Sequence, residues 1–202
     1  MRRPFAAIGP YRPLRLPPHA RGMTIGLYGG SFNPPHAGHR LVADSALRAL
    51  GLQRLWWLVT PGNPLKNNGG LAPLAERIAA CKALVRDPAH MVTAFEADLG
   101  IRYTVDLIRF LRRRCVGVSF VWIMGGDSLA GFHRWKDWQD IAALVPLAVV
   151  DRPGKTLAAT AGRAAQRLKA ARWPEAAAPR LARARPPAWV LLYGPRSNLS
   201  ST

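Results

Sequence analysis

Residues 29–39 of the chain read Gly29-Gly30-Ser31-Phe32-Asn33-Pro34-Pro35-His36-Ala37-Gly38-His39, a run of turn-forming residues that ends in two histidines. An apolar segment with the length of a buried strand, residues 24–28, precedes this run. From Ala37 onward the apolar positions recur at helical spacing as far as Gly51, which is expected to end the helix. Paired glycines let a backbone approach a ligand closely, and the free N–H groups at a helix start attract anions. The stretch therefore predicts a strand, an anion-binding turn and a helix in an α/β fold.

His36 and His39 are the candidate anion ligands of this turn. Two side chains three residues apart share one face of a helix, and their Cα–Cβ bonds tilt toward its amino terminus. Both imidazoles are therefore expected to point at the same anion. The glycine spacing fits neither the fingerprint GxGxxG nor a phosphate loop that ends in Gly-Lys-Ser/Thr. Two alternatives stay open, a zinc site, which needs further Cys or His ligands, and capping of the helix by the histidines.

Apolar runs with the length of strands alternate with helical patterns along the rest of the chain. Such an alternation indicates the α/β class, with a doubly wound, mostly parallel, Rossmann-like sheet that is covered on both faces. The segment 156–187 is expected to form a helix followed by a mobile linker, because prolines interrupt its Ala- and Arg-rich pattern. Further strands are predicted at 55–59, 91–95, 118–124, 146–150 and 189–193, and further helices at 74–85, 104–114 and 138–144.

Three irregular loops follow predicted strands, at residues 29–30, 61–62 and 125–127. Ligands of a doubly wound sheet bind beyond the carboxyl ends of its strands. We therefore expect these three loops to meet at one rim of the sheet and to form the site there.

The net charge of +18 indicates attraction to polyanions, among them RNA and phosphorylated small molecules. The first 22 residues hold five arginines, five prolines and no acid, which predicts a disordered basic arm over residues 1–22. Because regular structure begins abruptly at Met23, this residue is a candidate for the true start. Residues 23–202 are expected to form one domain. A second basic stretch, residues 152–185, contains nine Lys or Arg and one acid.

No apolar run approaches the roughly 20 residues of a membrane span, so no membrane association is expected. Cys81 and Cys115 lie in apolar, helix-like patterns without metal-ligand spacing. They are interpreted as buried free thiols of a reducing compartment, which predicts a cytoplasmic protein.

The run of residues 29–39 resembles the signature Gly-Gly-Ser/Thr-Phe-x-Pro-x-His-x-Gly-His of the nucleotidyltransferase superfamily with HxGH motifs. Residues 60–66 (TPGNPLK), 102–106 (RYTVD) and 125–128 (GGDS), with Trp135 beyond them, are similar to the bacterial nicotinate-nucleotide adenylyltransferases. The resemblance spans residues 23–202. It implies an enzyme of NAD biosynthesis that joins ATP and nicotinate mononucleotide to give nicotinate adenine dinucleotide and pyrophosphate. Mg²⁺ is expected to arrive with the ATP phosphates rather than in a metal site of the protein.

The resemblance also implies roles for individual residues. The catalytic candidates are His36, His39 and Lys66, although an exposed lysine without a role is the alternative for Lys66. Asp127 is expected to hold the ATP ribose, and its alternative is to cap a helix. The nicotinate nucleotide is assigned to Asn63, Thr104 and Trp135, which would stack on the pyridine ring. The full set of expected ATP contacts is Gly29, Gly30, Ser31, Phe32, His36, His39, Asp127, Ser200, Ser201 and Thr202.

Two departures from the family pattern affect these expectations. The family usually has Asp where this chain has Asn33, which puts a metal-facing role of that position in doubt. Residues 199–202 resemble the opening of the family motif Ile-Ser-Ser-Thr-x-Ile-Arg, and the chain stops before the Ile and Arg. We therefore expect a phosphate-binding motif that is cut short.

The nearest alternative function is a sister adenylyltransferase that acts on nicotinamide mononucleotide or phosphopantetheine. An alternative of another class is a basic RNA-binding module, suggested by the arm and the stretch 152–185. No strand rich in aromatic residues and no recognition helix accompanies these charges. Nucleic-acid binding is therefore expected to be weak and non-specific. The sequence predicts no oligomeric state, because it identifies no self-complementary face.

Overall fold

A computed structural model describes residues 15–62, 69–151 and 160–193. In these residues seven strands form one sheet in the order β3-β2-β1-β4-β5-β7-β6, and every neighbouring pair is parallel. The prediction of an α/β fold with a doubly wound parallel sheet is confirmed. The strands are β1 (Thr24–Gly30), β2 (Arg54–Val59), β3 (His90–Thr93), β4 (Ser119–Gly125), β5 (Leu147–Val150), β6 (Arg172–Trp173) and β7 (Trp189–Leu192).

Helices cover both faces of the sheet, and side chains of successive strand residues alternate between two buried clusters. Neighbouring Trp56 and Trp57 of β2, for example, belong to opposite clusters and are fully buried. This double burial explains why the strands are apolar throughout. The helices are α1 (Ala37–Ala49), α2 (Leu74–Leu84), α3 (Phe95–Asp98), α4 (Thr104–Arg114), α5 (Gly126–Gly131), α6 (Trp138–Leu144) and α7 (Arg163–Arg167), with short 3-10 helices at Phe132–Arg134, Lys169–Ala171 and Glu175–Arg183.

The strand order reverses between β1 and β4, which are neighbours in the centre of the sheet. The chain runs outward from β1 through β2 to β3, and outward from β4 through β5 in the other direction. A crevice therefore opens where the carboxyl ends of β1 and β4 separate, which is the usual ligand position in such sheets. Both ends carry glycines, Gly30 on β1 and Gly125 on β4.

Two parts of the predicted secondary structure are wrong. The strand expected at 91–95 ends at Thr93, and Phe95 begins the short helix α3 because its buried ring packs into the core. The mobile linker expected before 187 instead contains strand β6 and a 3-10 helix, Glu175–Arg183. That helix buries an apolar face against the sheet, made by Ala177, Ala178, Leu181 and Ala182.

The predicted arm falls only partly within the described residues, since residues 1–14 lie outside them. Residues 15–22 contain no helix or strand and run along the body of the domain. The Gly22 N–H donates to the Gly117 carbonyl at 2.8 Å, and the His19 ring meets the Trp56 ring edge to face at 5.9 Å. Leu16 packs against one of the two core clusters.

Cys81 and Cys115 are free and buried, as predicted. Burial raises the pKa of both thiols above the usual value, for Cys81 to about 11. They are therefore neutral at physiological pH. None of the helices in the described ranges is both long enough and apolar enough to cross a membrane.

Candidate functional site

A cleft of about 390 Å³ opens at the crevice between β1 and β4. Residues from all three predicted loops line it, including Gly30, Gly62 and Gly125. Eight of the predicted site residues lie along its wall: Gly29, Gly30, Ser31, Phe32, His39, Thr104, Asp127 and Trp135. His36 is not part of the wall. Asn63, Lys66, Ser200, Ser201 and Thr202 lie outside the described residues.

The two glycines that end β1 leave room for aromatic rings. A Cβ on Gly29 would lie 2.7 Å from the Trp122 ring, and a Cβ on Gly30 would lie 3.0 Å from the Phe32 ring. A side chain at Gly29 would displace the buried Trp122 ring, whereas one at Gly30 would require only a small shift of the Phe32 ring. Close packing within the protein therefore requires glycine at position 29 and disfavours a larger residue at position 30.

The two histidines cap the start of α1 together. His36 is the N-cap residue, and its Nδ1 accepts the Gly38 N–H at 3.1 Å. The His39 Nδ1 accepts the backbone N–H of His36 at 3.2 Å, which completes a capping box. In each neutral ring the proton must therefore sit on Nε2, which becomes a hydrogen-bond donor. Capping, which was one alternative to anion binding, is thus observed, and it orients both rings without using Nε2.

Phe32 stands at the turn between β1 and α1 in the left-handed region, with φ of +47°. Such a conformation is uncommon for a residue with a side chain. Its ring is buried and meets the rings of Tyr28 at 5.4 Å and His39 at 5.2 Å edge to face. The buried ring anchors the turn, so that its backbone and the imidazole of His39 face the cleft.

Asn33 ties the first loop to the segment that leads into α2. Its side-chain amide donates to the Gly70 carbonyl at 2.9 Å and accepts the Ala72 N–H at 3.0 Å. An amide can donate and accept at once, whereas a carboxylate can only accept. Both polar atoms of Asn33 are therefore occupied by backbone groups, and the structure gives this side chain a role within the protein.

Asp127 is the second residue of α5, whose N-cap is Gly125. The interpretation of Asp127 as the helix N-cap is therefore wrong. Its exposed carboxylate lies on the wall of the cleft at the carboxyl end of β4. A carboxylate there can accept two hydrogen bonds from neighbouring hydroxyl groups.

The far side of the cleft is built around Trp135. Its ring meets the buried rings of Phe132 at 5.3 Å and Trp122 at 6.0 Å edge to face. The Lys136 ammonium lies 4.3 Å above the centre of the Tyr103 ring and 3.9 Å from an Asp106 carboxylate oxygen. The cleft thus has an aromatic wall with a cation beside it.

Glu96 is a residue of the cleft that the sequence analysis missed. It is buried in α3, and this burial raises the pKa of its carboxyl group to about 7. The carboxyl is therefore protonated in a large fraction of molecules at neutral pH. Glu96 lies just beyond the strand predicted at 91–95 and carried no local signal of burial, since its burial follows from the helix that begins at Phe95.

Within residues 15–62, 69–151 and 160–193, no group of three or more His, Cys, Asp or Glu side chains is placed to hold a metal ion. The side of the cleft formed by residues 29–39 offers the His39 imidazole and backbone N–H groups, which can donate hydrogen bonds to anions. Mg²⁺ prefers oxygen ligands. The donor set on that side therefore fits phosphate oxygens better than a bare cation.

Comparisons of the sequence with known proteins give one consistent family. The model of the cytidylyltransferase-like family matches residues 27–202. The probable nicotinate-nucleotide adenylyltransferase of a Methylorubrum extorquens strain is 60% identical over 180 residues, which cover 89% of this chain and 97% of that relative. The probable nicotinate-nucleotide adenylyltransferase of Mesorhizobium japonicum is 55% identical over 186 residues, which cover 92% of this chain and 95% of that relative.

Solved structures with a similar fold include the Plasmodium falciparum nicotinic acid mononucleotide adenylyltransferase complexed with NaAD. That structure has a TM-score of 0.64 and 14% sequence identity, covering 86% of this chain and 76% of the other. The same protein complexed with APC has a TM-score of 0.63. At this low identity the likeness concerns the fold alone.

Proposed function

Because this chain belongs to the cytidylyltransferase-like family and, within it, to the nicotinate-nucleotide adenylyltransferases, we propose that it transfers the adenylyl group of ATP to nicotinate mononucleotide. The products are nicotinate adenine dinucleotide and pyrophosphate, which places the reaction in NAD biosynthesis. One observation carries the proposal: a single cleft joins an anion-binding turn, with His39 and Ser31, to an aromatic wall at Trp135. The turn suits the triphosphate of ATP, and the aromatic wall suits a pyridine ring.

The reaction is a displacement at phosphorus. A phosphate oxygen of nicotinate mononucleotide attacks the α-phosphorus of ATP, a new P–O bond forms, and the bond from the α-phosphorus to the bridging oxygen breaks. Pyrophosphate leaves with the electron pair. A phosphate monoester is largely dianionic at neutral pH, since its second pKa is about 6, so no strong base is needed. The protein must instead align the groups and balance the negative charge.

The phosphates of ATP are proposed to lie against the turn of residues 29–39. There the Nε2–H groups of His39 and His36 donate to phosphate oxygens, with His39 at the reacting centre because it lies on the wall of the cleft. Ser31 and the Phe32 amide supply further donors beside Gly29 and Gly30. Lys66, Ser200, Ser201 and Thr202 are proposed to complete the phosphate contacts from outside the described residues.

The two nucleosides are proposed to lie on opposite sides of the reacting phosphates. Asp127 accepts hydrogen bonds from the hydroxyl groups of the ATP ribose. The ring of Trp135 stacks on the pyridine ring, while Thr104 and Asn63 contact the nicotinate end. Lys136, at the edge of the same wall, favours an acceptor that carries a carboxylate.

Mg²⁺ is proposed to enter as part of the ATP substrate. Arriving with ATP, it would supply positive charge that offsets part of the negative charge on the departing pyrophosphate. The imidazole and amide donors of this chain bind the remaining phosphate oxygens. We further propose that the enzyme works in the cytoplasm, which the two free buried thiols support.

The test is release of pyrophosphate from Mg²⁺ and ATP with nicotinate mononucleotide, nicotinamide mononucleotide or phosphopantetheine as acceptor. Strong preference for nicotinate mononucleotide is expected. Preference for another acceptor would leave the phosphate side intact and overturn the roles of Trp135, Thr104 and Asn63. Absence of turnover with every acceptor, together with salt-dependent RNA binding, would favour the nucleic-acid-binding alternative over the enzyme.

A further inference from the structure

Arg77 of α2 is a buried cation without an acidic partner. Only 3% of the surface of this residue is exposed to solvent. All eleven Asp and Glu of the chain lie in the described residues, and none of them forms an ion pair with Arg77. The Cys81 thiol is its neighbour one helical turn away, but burial raises the pKa of that thiol to about 11, so it stays neutral. A buried, uncompensated charge is costly and calls for a reason.

The guanidinium is held by four backbone carbonyl groups. Its Nη1 donates to the carbonyls of Ser31 at 2.7 Å and Thr60 at 2.8 Å, and its Nη2 donates to that of Pro61 at 3.4 Å. Its Nε donates to the carbonyl of Ala72 at 2.9 Å. Arg77 therefore joins the loop after β1, the loop after β2 and the segment before α2. These loops form the phosphate side of the cleft.

The hydrogen bonds of Arg77 also fix which way two peptide groups face. Among the described residues the only cis peptide bonds are Asn33–Pro34 and Pro186–Pro187, so the bonds from Ser31 to Phe32 and from Pro61 to Gly62 are trans. In a planar trans peptide the N–H points opposite to the C=O. Since the carbonyls of Ser31 and Pro61 point at Arg77, the N–H groups of Phe32 and Gly62 point away from it. Both residues line the cleft.

We propose that Arg77 is a positioning residue for adenylyl transfer, which holds the Phe32 and Gly62 N–H groups toward the phosphates of the nucleotide. Its buried charge adds a positive potential behind the same two peptide groups. A preorganised N–H donor in a site shielded from water binds phosphate oxygens without reorganisation. The ligand chemistry is that of a di- or triphosphate, so this inference deepens the proposed function and rests on it.

The geometry requires arginine rather than any other cation. A guanidinium offers five N–H donors in a rigid planar fork, which can hold carbonyls from three chain segments at fixed angles. An ammonium has three donors on a flexible stem. Lysine at this position keeps the positive charge but lacks the planar set of guanidinium donors. The Arg77→Lys variant therefore separates the contribution of the charge from that of the hydrogen bonds.

The experiment compares Arg77→Lys and Arg77→Met with Lys82→Met, an exposed basic residue of the same helix. Isothermal titration gives the dissociation constants of ATP, inorganic pyrophosphate and adenosine for each folded variant. The expected result is a loss of ATP and pyrophosphate affinity of about 10- to 100-fold, since hydrogen bonds to charged groups contribute that much. Adenosine affinity stays within a factor of about two of wild type in the Arg77 variants. The Lys82 variant binds all three ligands as wild type does.

The comparison of ATP with adenosine separates positioning from a merely structural role. A cleft that simply collapses would lose both ligands, and equal losses would overturn the proposal, as would unchanged pyrophosphate binding in folded variants. If both Arg77 variants fail to fold, NMR spectra of the wild-type protein test the proposal instead. The amide signals of Phe32 and Gly62 are then expected to shift on addition of pyrophosphate, and signals that stay in place would overturn the proposal.

The outcome is independent of the acceptor assay. If the wild type binds ATP but transfers no adenylyl group to any acceptor, the proposed function fails, whereas the pyrophosphate titrations still test Arg77. Conversely, full turnover in Arg77→Met would overturn the role of Arg77 and leave the proposed function standing.

Discussion

The rings of His36 and His39 lie 3.9 Å apart, centre to centre, at the start of α1. Each ring uses its Nδ1 to accept a backbone N–H of the same turn. The hydrogen bonds that cap the helix therefore also fix the orientation of the imidazoles. Only His39 belongs to the wall of the cleft. The two residues therefore share a structural role but differ in access to a ligand.

Replacing each histidine by alanine is expected to separate these roles. His39→Ala should lower kcat/KM by about 100- to 1000-fold, the usual effect of losing one preorganised donor to a developing anion. His36→Ala should lower it less, and should reduce the free energy of unfolding by about 1 kcal/mol through loss of the cap. Urea unfolding and steady-state pyrophosphate release measure both quantities.

His36→Asn is the matched control, because asparagine is also a good N-cap. It should restore the stability lost in His36→Ala. An activity loss in His36→Ala as large as that in His39→Ala would contradict the assignment of His39 to the reacting centre.

Trp135→Ala is expected to raise KM for nicotinate mononucleotide by about tenfold or more, since stacking on an aromatic side chain is worth about 1–3 kcal/mol per base. KM for ATP should change little. Trp135→Phe keeps an aromatic face and the contact with Phe132, and should stay near wild type. A parallel rise of both KM values in Trp135→Ala would place the residue in the general packing of the cleft instead.

Lys136 should affect the choice between acid and amide acceptors, but only modestly. Its side chain is 47% exposed, so solvent screens its charge and an effect of at most about 1 kcal/mol is expected, or roughly fivefold. Lys136→Met should reduce the kcat/KM ratio of nicotinate over nicotinamide mononucleotide by up to this factor. Asp106→Asn removes the competing carboxylate and should raise the ratio. An unchanged ratio in Lys136→Met would exclude Lys136 from acceptor selection.

Glu96 should make folding stability depend on pH. Burial raises the pKa of its carboxyl to about 7 from the ordinary 4.5, so the folded protein retains a proton that the unfolded chain has released. The stabilisation is complete below pH 4.5 and is lost as pH rises toward and through 7, by about 3 kcal/mol in total. Urea unfolding at several pH values between 4.5 and 8 gives this profile.

Glu96→Gln is the control, since the amide is isosteric with the protonated carboxyl and does not titrate. The difference in unfolding free energy between wild type and Glu96→Gln should shift by about 3 kcal/mol across this range, in favour of the variant at high pH. A difference that stays constant with pH would show that the carboxyl titrates alike in the folded and unfolded chains.

Most of the architecture could be predicted because its signals are local. The apolar runs at residues 55–59 and 118–124 became β2 and β4, and the helical spacing from Thr104 became α4. The prediction of a mobile linker before residue 187 was wrong because prolines in a local pattern indicate a break in regular structure. In the folded chain, burial of Leu181 and its neighbouring alanines stabilises a 3-10 helix there. That burial depends on the sheet, which a local pattern does not contain.

The sequence by itself determined the α/β class, the position of the turn between β1 and α1 and the grouping of three loops at one rim, because hydrophobic periodicity and parallel-strand topology suffice for these. Only the tertiary structure decided that Gly29 makes room for Trp122, that Glu96 is buried in the cleft, and that Arg77 binds carbonyls of the loops after β1 and β2. Arg77 and Ser31 are 46 positions apart in the chain. The environment of a buried charge is set by such distant contacts, which appear only when the chain has folded.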